Sequence, residues 1–212
     1  MSPNHIFENE LPIVCKTYPS LCVKGTDGHK YLKGILDIND GDGNYYGSFS
    51  IEVHCSERYP YRFPILYEVG GDIPCDVDWH KYQDCSLCLD VEQSEILRCR
   101  NGISLLDFID GIAIPHLANQ LHKKIHGEYV DEYKHGVNGV REFYTKLLGT
   151  TDTSIWVKSA HSIFVGPPKG RNEACYCGSG IKYKHCHLDA DKKLSLIGFQ
   201  KVYEDFKSMG VL

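Results

Sequence analysis

The 212-residue sequence lacks a basic excess: 23 Lys and Arg stand against 28 Asp and Glu, a formal net charge of -5. A general nucleic-acid binder needs cationic surface to neutralise phosphates, so the balance argues against that class and no nucleic-acid partner is expected. No apolar run approaches the ~20 residues of a membrane span. The best stretch, Ile103 to Ile114, is interrupted by Asp107 and Asp110, so no membrane partner is expected either. The first ten residues, Met1-Ser-Pro-Asn-His-Ile-Phe-Glu-Asn-Glu10, have no basic region followed by an apolar core. They do not read as a signal peptide. Low-complexity segments are also missing, and 42% hydrophobic with 24% charged residues is the composition of a soluble globular protein.

What the chain does have is cysteine, ten of them. Without an export signal they read as thiols and metal ligands in a reducing compartment, which places the protein in the cytoplasm. The length suits one domain of ordinary size and a small appendage. About 150 residues can bury roughly two thirds of their unfolded surface without staples.

Hydrophobic patterning divides the chain. Residues 1–20 carry few signals beyond Pro12 and Pro19, and a short helix is the most they suggest. Extended segments follow at Leu21–Val23, Tyr31–Ile38, Tyr45–Val53 and Ile65–Val69. Leu32, Gly34, Leu36 and Ile38 alternate with outward residues, as do Phe49, Ile51 and Val53. Turn-rich Gly25-Thr-Asp-Gly28 and Asn39-Asp-Gly-Asp-Gly-Asn44 separate them, so the strands form an antiparallel meander. The Asp40/Asp42 turn has only half the ligands of a calcium loop and reads as a turn.

After a long loop the period becomes helical. Ser104 with Asp107 is an N-cap pair, and Leu105, Phe108, Ile109 and Ile112 form an apolar stripe. Pro115 breaks or restarts this helix, and Leu117, Leu121 and Ile125 share the next face. A third helix is expected over Val137–Leu148, with Val137, Val140, Tyr144, Leu147 and Leu148 inward and Gly149 as its stop. The reading is an α+β domain over residues 1–150, with helices on one side of the meander. Residues 151–170 are a linker that holds two short strands, Ser154–Val157 and Ser162–Val165. Residues 171–190 are a cysteine-rich unit, and 191–212 a C-terminal helix presenting Phe199, Val202 and Phe206. His122 and His126 lie four apart on a predicted helix, a spacing at which both can face one metal, but with the cations Lys123 and Lys124 beside them they read as a solvated face.

The cysteine-rich unit has the donors of a closed metal site. Cys175, Cys177, Cys186 and His187 supply three thiolates and an imidazole, the number a tetrahedral structural zinc requires. Gly178 and Gly180 permit positive-φ turns around the sulfurs, and Arg171, Lys182 and Lys184 offset the surplus negative charge. His185 competes with His187 for the fourth place. Both cysteine spacings, Gly178-Ser-Gly180 and Lys182-Tyr-Lys184 resemble the SEC-C motif, a small zinc-binding module. The resemblance implies structural Zn(2+), His187 as the fourth ligand, and a docking or structural role.

The stretch from Tyr59 to Glu92 draws the chemistry together. It contains Tyr59-Pro-Tyr-Arg-Phe-Pro64, Trp79, His80, Tyr82, Cys75, Cys85 and Ser86-Leu-Cys88-Leu-Asp90. Its cysteines can be buried core thiols, a second zinc site made by Cys75, His80, Cys85 and Cys88, or a redox pair at Cys85-x-x-Cys88. The strand order, the Tyr-Pro segment, His80 and the Cys88 sequence together resemble the ubiquitin-conjugating enzymes, over roughly residues 10–150. More specifically, the chain resembles the divergent bacterial members of that family found in antiphage (CBASS-like) operons, and Gly127-Glu, His135-Gly136, Gly139 and Glu142-Phe-Tyr144 add to that resemblance.

That resemblance implies a UBC-like fold and a transferase with Cys88 as the nucleophile. Its partner would be the C-terminus of a ubiquitin-like protein or a cGAS-like nucleotidyltransferase, with an activating enzyme as a further partner. The chain departs from the family where His80-Lys81-Tyr82 replaces His-Pro-Asn, so no Asn stands as oxyanion donor. His80 is the candidate donor and Tyr82 the alternative; Asp90 or Asp84 is a candidate to orient or deprotonate the acceptor amine. The competing reading is a non-catalytic binding module on the same fold with a structural zinc site.

Overall fold

A computed structural model describes residues 2–130 and 133–212. The chain divides into two compact units, Met1–Asp90 with Arg98–Glu132, and Val91–Leu97 with Tyr133–Leu212.

The first unit opens with α1 (Pro3–Thr17). The Ser2 hydroxyl accepts from the His5 amide at its start, where Pro3 loses no intrahelical bond. Phe7, Leu11 and Val14, spaced four and three apart, bury one face. At 15 residues the helix is longer than the short one expected, because this burial outweighs the hydrogen bond that Pro12 removes.

Four strands follow, β1 (Leu21–Lys24), β2 (Tyr31–Asn39), β3 (Tyr45–His54) and β4 (Ile65–Glu68). They pair antiparallel in the order β1-β2-β3-β4, as the turn chemistry requires. Leu32 faces Val53 and Leu36 faces Phe49 across the β2–β3 ladder, so the alternating apolar residues share a face. Gly34 is demanded by packing: its φ is 156°, and a β-carbon would lie 2.0 Å from the Ser20 carbonyl oxygen. Leu32, Leu36, Ile38, Phe49, Ile51, Val53 and Leu66 form one core with Phe7, Leu11 and Val14 and with Leu105, Phe108, Ile109, Ile112 and Leu117.

Those last residues come from α3 (Leu105–Phe108), a π-helical turn (Ile109–Ala113) and α4 (Ile114–His126). Ser104 caps α3 by accepting from the Asp107 amide, and Pro115 lies in the first turn of α4, where its missing N–H is harmless. Leu117 is buried, but Ile125 is exposed, so the apolar face of α4 stops short of it. An extra helix, α2 (Glu92–Cys99), was not legible in the sequence.

In the second unit, α5 (Val137–Leu148) has the expected bounds and ends at Gly149 with φ 65°. Its inward side is Gly139, Phe143, Tyr144 and Leu148; Val137 is exposed. The helix expected to close the first domain therefore belongs to the second unit. The connector is α6 (Thr153–Phe164), not two short strands. Asp152 caps it by accepting from the Ser154 amide, and Trp156 is fully buried. β-branched residues at 155 and 157 favour extension locally, but burying Trp156 decides the outcome. The C-terminal helix is two helices, α7 (Leu188–Ile197) and α8 (Phe199–Ser208), parted at Gly198 with φ 93°. Val202 and Phe206 are buried as expected, while Phe199 is exposed.

Two buried carboxylates organise this unit. Asp205 accepts from Gln93 Nε2 at 2.6 Å and the Tyr144 hydroxyl at 2.8 Å, with Lys201 Nζ 3.1 Å away. Asp191 accepts from the hydroxyls of Ser159, Tyr176 and Tyr183 at 2.5, 2.7 and 2.7 Å. A buried anion needs such donors to survive loss of water.

Candidate functional site

The stretch holding Cys88 is folded against β4. The Leu87 amide donates to the Leu66 carbonyl at 2.8 Å, and Tyr67 bridges Ser86. Lys81 bridges Leu87, and the Tyr82 amide donates to the Ser86 carbonyl at 2.9 Å. Residues 81–87 thus form a tight hairpin whose turn places Cys85 at φ 61°. The Cys88 amide then donates to the His80 carbonyl at 2.7 Å. This bond brings together the two residues singled out first, Cys88 and His80. Both are half-buried.

Lys81 explains why the loop holds this course. Its Nζ lies 3.1 Å from Glu68 Oε2 and donates to the Ile73 carbonyl at 2.9 Å and the Glu68 carbonyl at 3.2 Å. The Glu68 carboxylate also accepts from the amides of Gly70, Asp72 and Ile73. The pair is almost wholly out of water, with side chains 4% and 0% exposed. Lys81 therefore ties the loop to the end of β4 through a buried, hydrogen-bonded charge pair.

His80 stands at φ 50° after a 3-10 turn, Val77–Trp79. Its ring lies 5.1 Å from that of Tyr129 and 6.2 Å from that of His116. Gln120, 1% exposed, ties these surroundings together. Its amide nitrogen lies 3.0 Å from the Trp79 carbonyl oxygen and 3.1 Å from His116 Nε2, while its carbonyl accepts from the Tyr129 hydroxyl at 3.1 Å. With Gln120 donating, His116 Nε2 is the acceptor and Nδ1 carries the proton. Loss of water, and then the neighbouring charge of His80, push His116 down to about 3, so it is neutral at neutral pH. His116, Gln120 and Tyr129 were missed in the sequence because the turns that gather them are distant in the chain.

The remaining candidates are more dispersed. Tyr82 is 55% exposed. Asp90 is ion-paired with Arg98 Nε at 3.3 Å. Asp84 accepts from both the amide and the hydroxyl of Ser86, which hold its carboxyl below the usual range, so it is a turn residue. Cys75 and Cys85 form a disulfide. This corrects two expectations, that all ten cysteines are thiols or metal ligands, and that Cys75, His80, Cys85 and Cys88 are open to a second zinc. The disulfide consumes two of those four donors, and it also removes Cys85 from any pairing with Cys88.

The second candidate is a metal centre. The donor atoms of Cys175, Cys177, Cys186 and His187 all lie within 4.8 Å of one another. Among the described residues this is the one group of three or more such donors. Cys177 and Cys186 sulfurs are 3.5 Å apart, and His187 Nδ1 lies 3.3 and 3.1 Å from the sulfurs of Cys175 and Cys186. Tetrahedral zinc with its usual bond lengths would set S–S and S–N edges of about 3.8 and 3.6 Å, so the cluster fits with small relaxation. The far nitrogen, His187 Nε2, lies 3.2 Å from the Leu148 carbonyl oxygen. A backbone acceptor behind a ligating imidazole fixes its tautomer and points Nδ1 inward. His185 is exposed and outside the group, which leaves His187 as the imidazole donor.

Local structure prepares this arrangement. Gly178 and Gly180 have φ of 82° and 73°, as the turns around the sulfurs need. The Cys175 amide donates to the Ile181 carbonyl at 2.8 Å, and Ala174 bridges Lys182, closing a small hairpin. Ser179 Oγ lies 3.2 Å from the Cys177 sulfur and 3.6 Å from that of Cys186. Tyr176 and Tyr183 flank the ligands and anchor them through Asp191, a residue no motif marked.

Residues 171–189 match the SEC-C motif. The SEC-C segment is also what the chain's curated relatives support. The protein translocase subunit SecA of Borrelia garinii subsp. bavariensis is 33% identical over 69 residues, 32% of this chain and 5% of that protein. SecA of Borreliella burgdorferi is 61% identical over 33 residues, 14% of this chain and 4% of its own length. SecA of Cupriavidus metallidurans is 33% identical over 79 residues, 37% and 8% of the two. The chain spans less than a tenth of these relatives. No solved structure matches it. No helix among the described residues is long and apolar enough to cross a membrane.

Proposed function

We propose that the chain is a ubiquitin-conjugating-enzyme-like cysteine transferase of bacterial antiviral defence, cytoplasmic, with Cys88 as its nucleophile and a zinc-binding SEC-C module. The observation that carries this reading is the hairpin on β4 that sets Cys88 beside His80, directly after a four-stranded meander. A thiol in that position is half-buried but carried on backbone held from both sides, which favours reaction with a threaded chain end.

The proposed chemistry balances as a double displacement. The Cys88 thiolate attacks the carbonyl carbon of the partner's activated C-terminus, forming a thioester and expelling either an activating enzyme's cysteine thiolate or AMP. An acceptor amine then attacks the Cys88 thioester; the amide bond forms, the Cys88 thiolate leaves, and the amine's proton passes to a base. The partner is the C-terminus of a ubiquitin-like protein or a cGAS-like nucleotidyltransferase. His80 is the candidate donor to the oxyanion, aligned by the Gln120–His116–Tyr129 network; Asp90 is the candidate to orient the amine. Cys175, Cys177, Cys186 and His187 would hold the zinc, which supplies a structural cross-link and, with four protein ligands, no open position for chemistry.

The test is a trap. Cys88→Lys, expressed from its native operon, converts a transient thioester into a stable isopeptide visible by intact-mass spectrometry. A partner that co-purifies with no adduct on the Lys variant would instead favour the non-catalytic binding module.

A further inference from the structure

We propose that His122 and His126 form a surface transition-metal site at the C-terminal end of α4, for ions that favour imidazole such as Ni(2+), Cu(2+) and Zn(2+). A separation of four residues places both rings on one helix face, the spacing that lets two imidazoles reach one ion. The ring centroids are 4.3 Å apart. His122 Nδ1 lies 2.9 Å from the Glu128 carbonyl oxygen. A carbonyl can only accept, so Nδ1 carries the proton and Nε2 keeps its lone pair. This is the backbone-carbonyl support that orients metal-binding histidines.

The charge objection raised by Lys123 and Lys124 is met by where those ammonium groups go. Lys123 donates to the Asp78 carbonyl and lies over the rings of Trp79 and Tyr129, at 4.8 and 4.2 Å. Lys124 pairs with Asp72 at 2.7 Å. Neither cation is spent on the imidazoles. The last turn of α4, closed by the Gly127 amide on the Lys123 carbonyl at 2.7 Å, also presents the negative end of the helix dipole. Two protein ligands leave positions for water, which suits the tetragonal and octahedral preferences of Cu(2+) and Ni(2+). The ion would clamp the turn after α4, which carries Tyr129 to its place near His80.

The experiment titrates Ni(2+) into the full chain, first loaded with stoichiometric zinc, by calorimetry, with zinc release followed in parallel. One additional Ni(2+) site is expected, with slower amide exchange in residues 127–130. His126→Ala, an exposed change that leaves the fold intact, is expected to weaken it by roughly tenfold or more, and His122→Ala likewise. The proposal is overturned if the wild type takes up no Ni(2+), if uptake occurs only as zinc leaves, or if the double variant binds as tightly as the wild type.

Discussion

Lys81 and Glu68 lie side by side with both side chains buried, and removing one partner strands the other's charge. Lys81→Met is therefore expected to cost ~3–5 kcal/mol, read as a lower denaturant midpoint for the first unit. An unchanged midpoint would remove the pair from the account of how the Cys88 hairpin is held. His116 makes a second residue-scale prediction. Its value near 3 lies below the ordinary 6.5, so the unfolded chain takes up the proton first. The resulting stability is full above about pH 6.5 and is lost as pH falls toward about 3. His116→Gln should flatten that part of the acid-side slope; equal slopes for both proteins between pH 7 and 4.5 would contradict it.

At the scale of elements, the SEC-C segment with the zinc proposed for it should behave as a separable cross-link. A chelator is expected to speed amide exchange through residues 174–187 and the start of α7 while β2 and β3 remain protected. Loss of protection in β2 and β3 at the same chelator concentration would sink that picture. Much of this level was legible in the sequence. Alternation at Leu32–Ile38 and Phe49–Val53, and the turn residues between, were sufficient for the meander, because period two with Gly/Asp turns has few other solutions. Ser104, Pro115 and Gly149 marked helix ends through local capping chemistry. The failures share a cause. α1, α2 and α6 rest on burial against residues far along the chain; the local caps at Ser2 and Asp152 do not by themselves outweigh Pro12 or the β-branched residues near Trp156. The metal donors were legible because their spacing is local. Asp191, Gln120 and Tyr129 were not, since each acts only once separate elements meet. The Cys75–Cys85 disulfide was missed for the same reason: pairing depends on the loop's fold, not on spacing.

The molecule as a whole has a helix-backed four-stranded sheet in one unit and the SEC-C motif in a second, helical unit. Metal analysis of the purified chain, without added metal salts, is expected to give about one zinc per chain, lost in the Cys177→Ser variant. A metal content unchanged by that substitution would move the zinc away from the cluster. The role of Cys88 is tested most closely by the intact mass of the wild-type chain drawn rapidly from its native host at mildly acidic pH. The expected result is a protein-sized adduct on Cys88 that a small thiol removes and that Cys88→Ala never carries. A wild-type chain at its unmodified mass, with the partner and its activating machinery present, would contradict it.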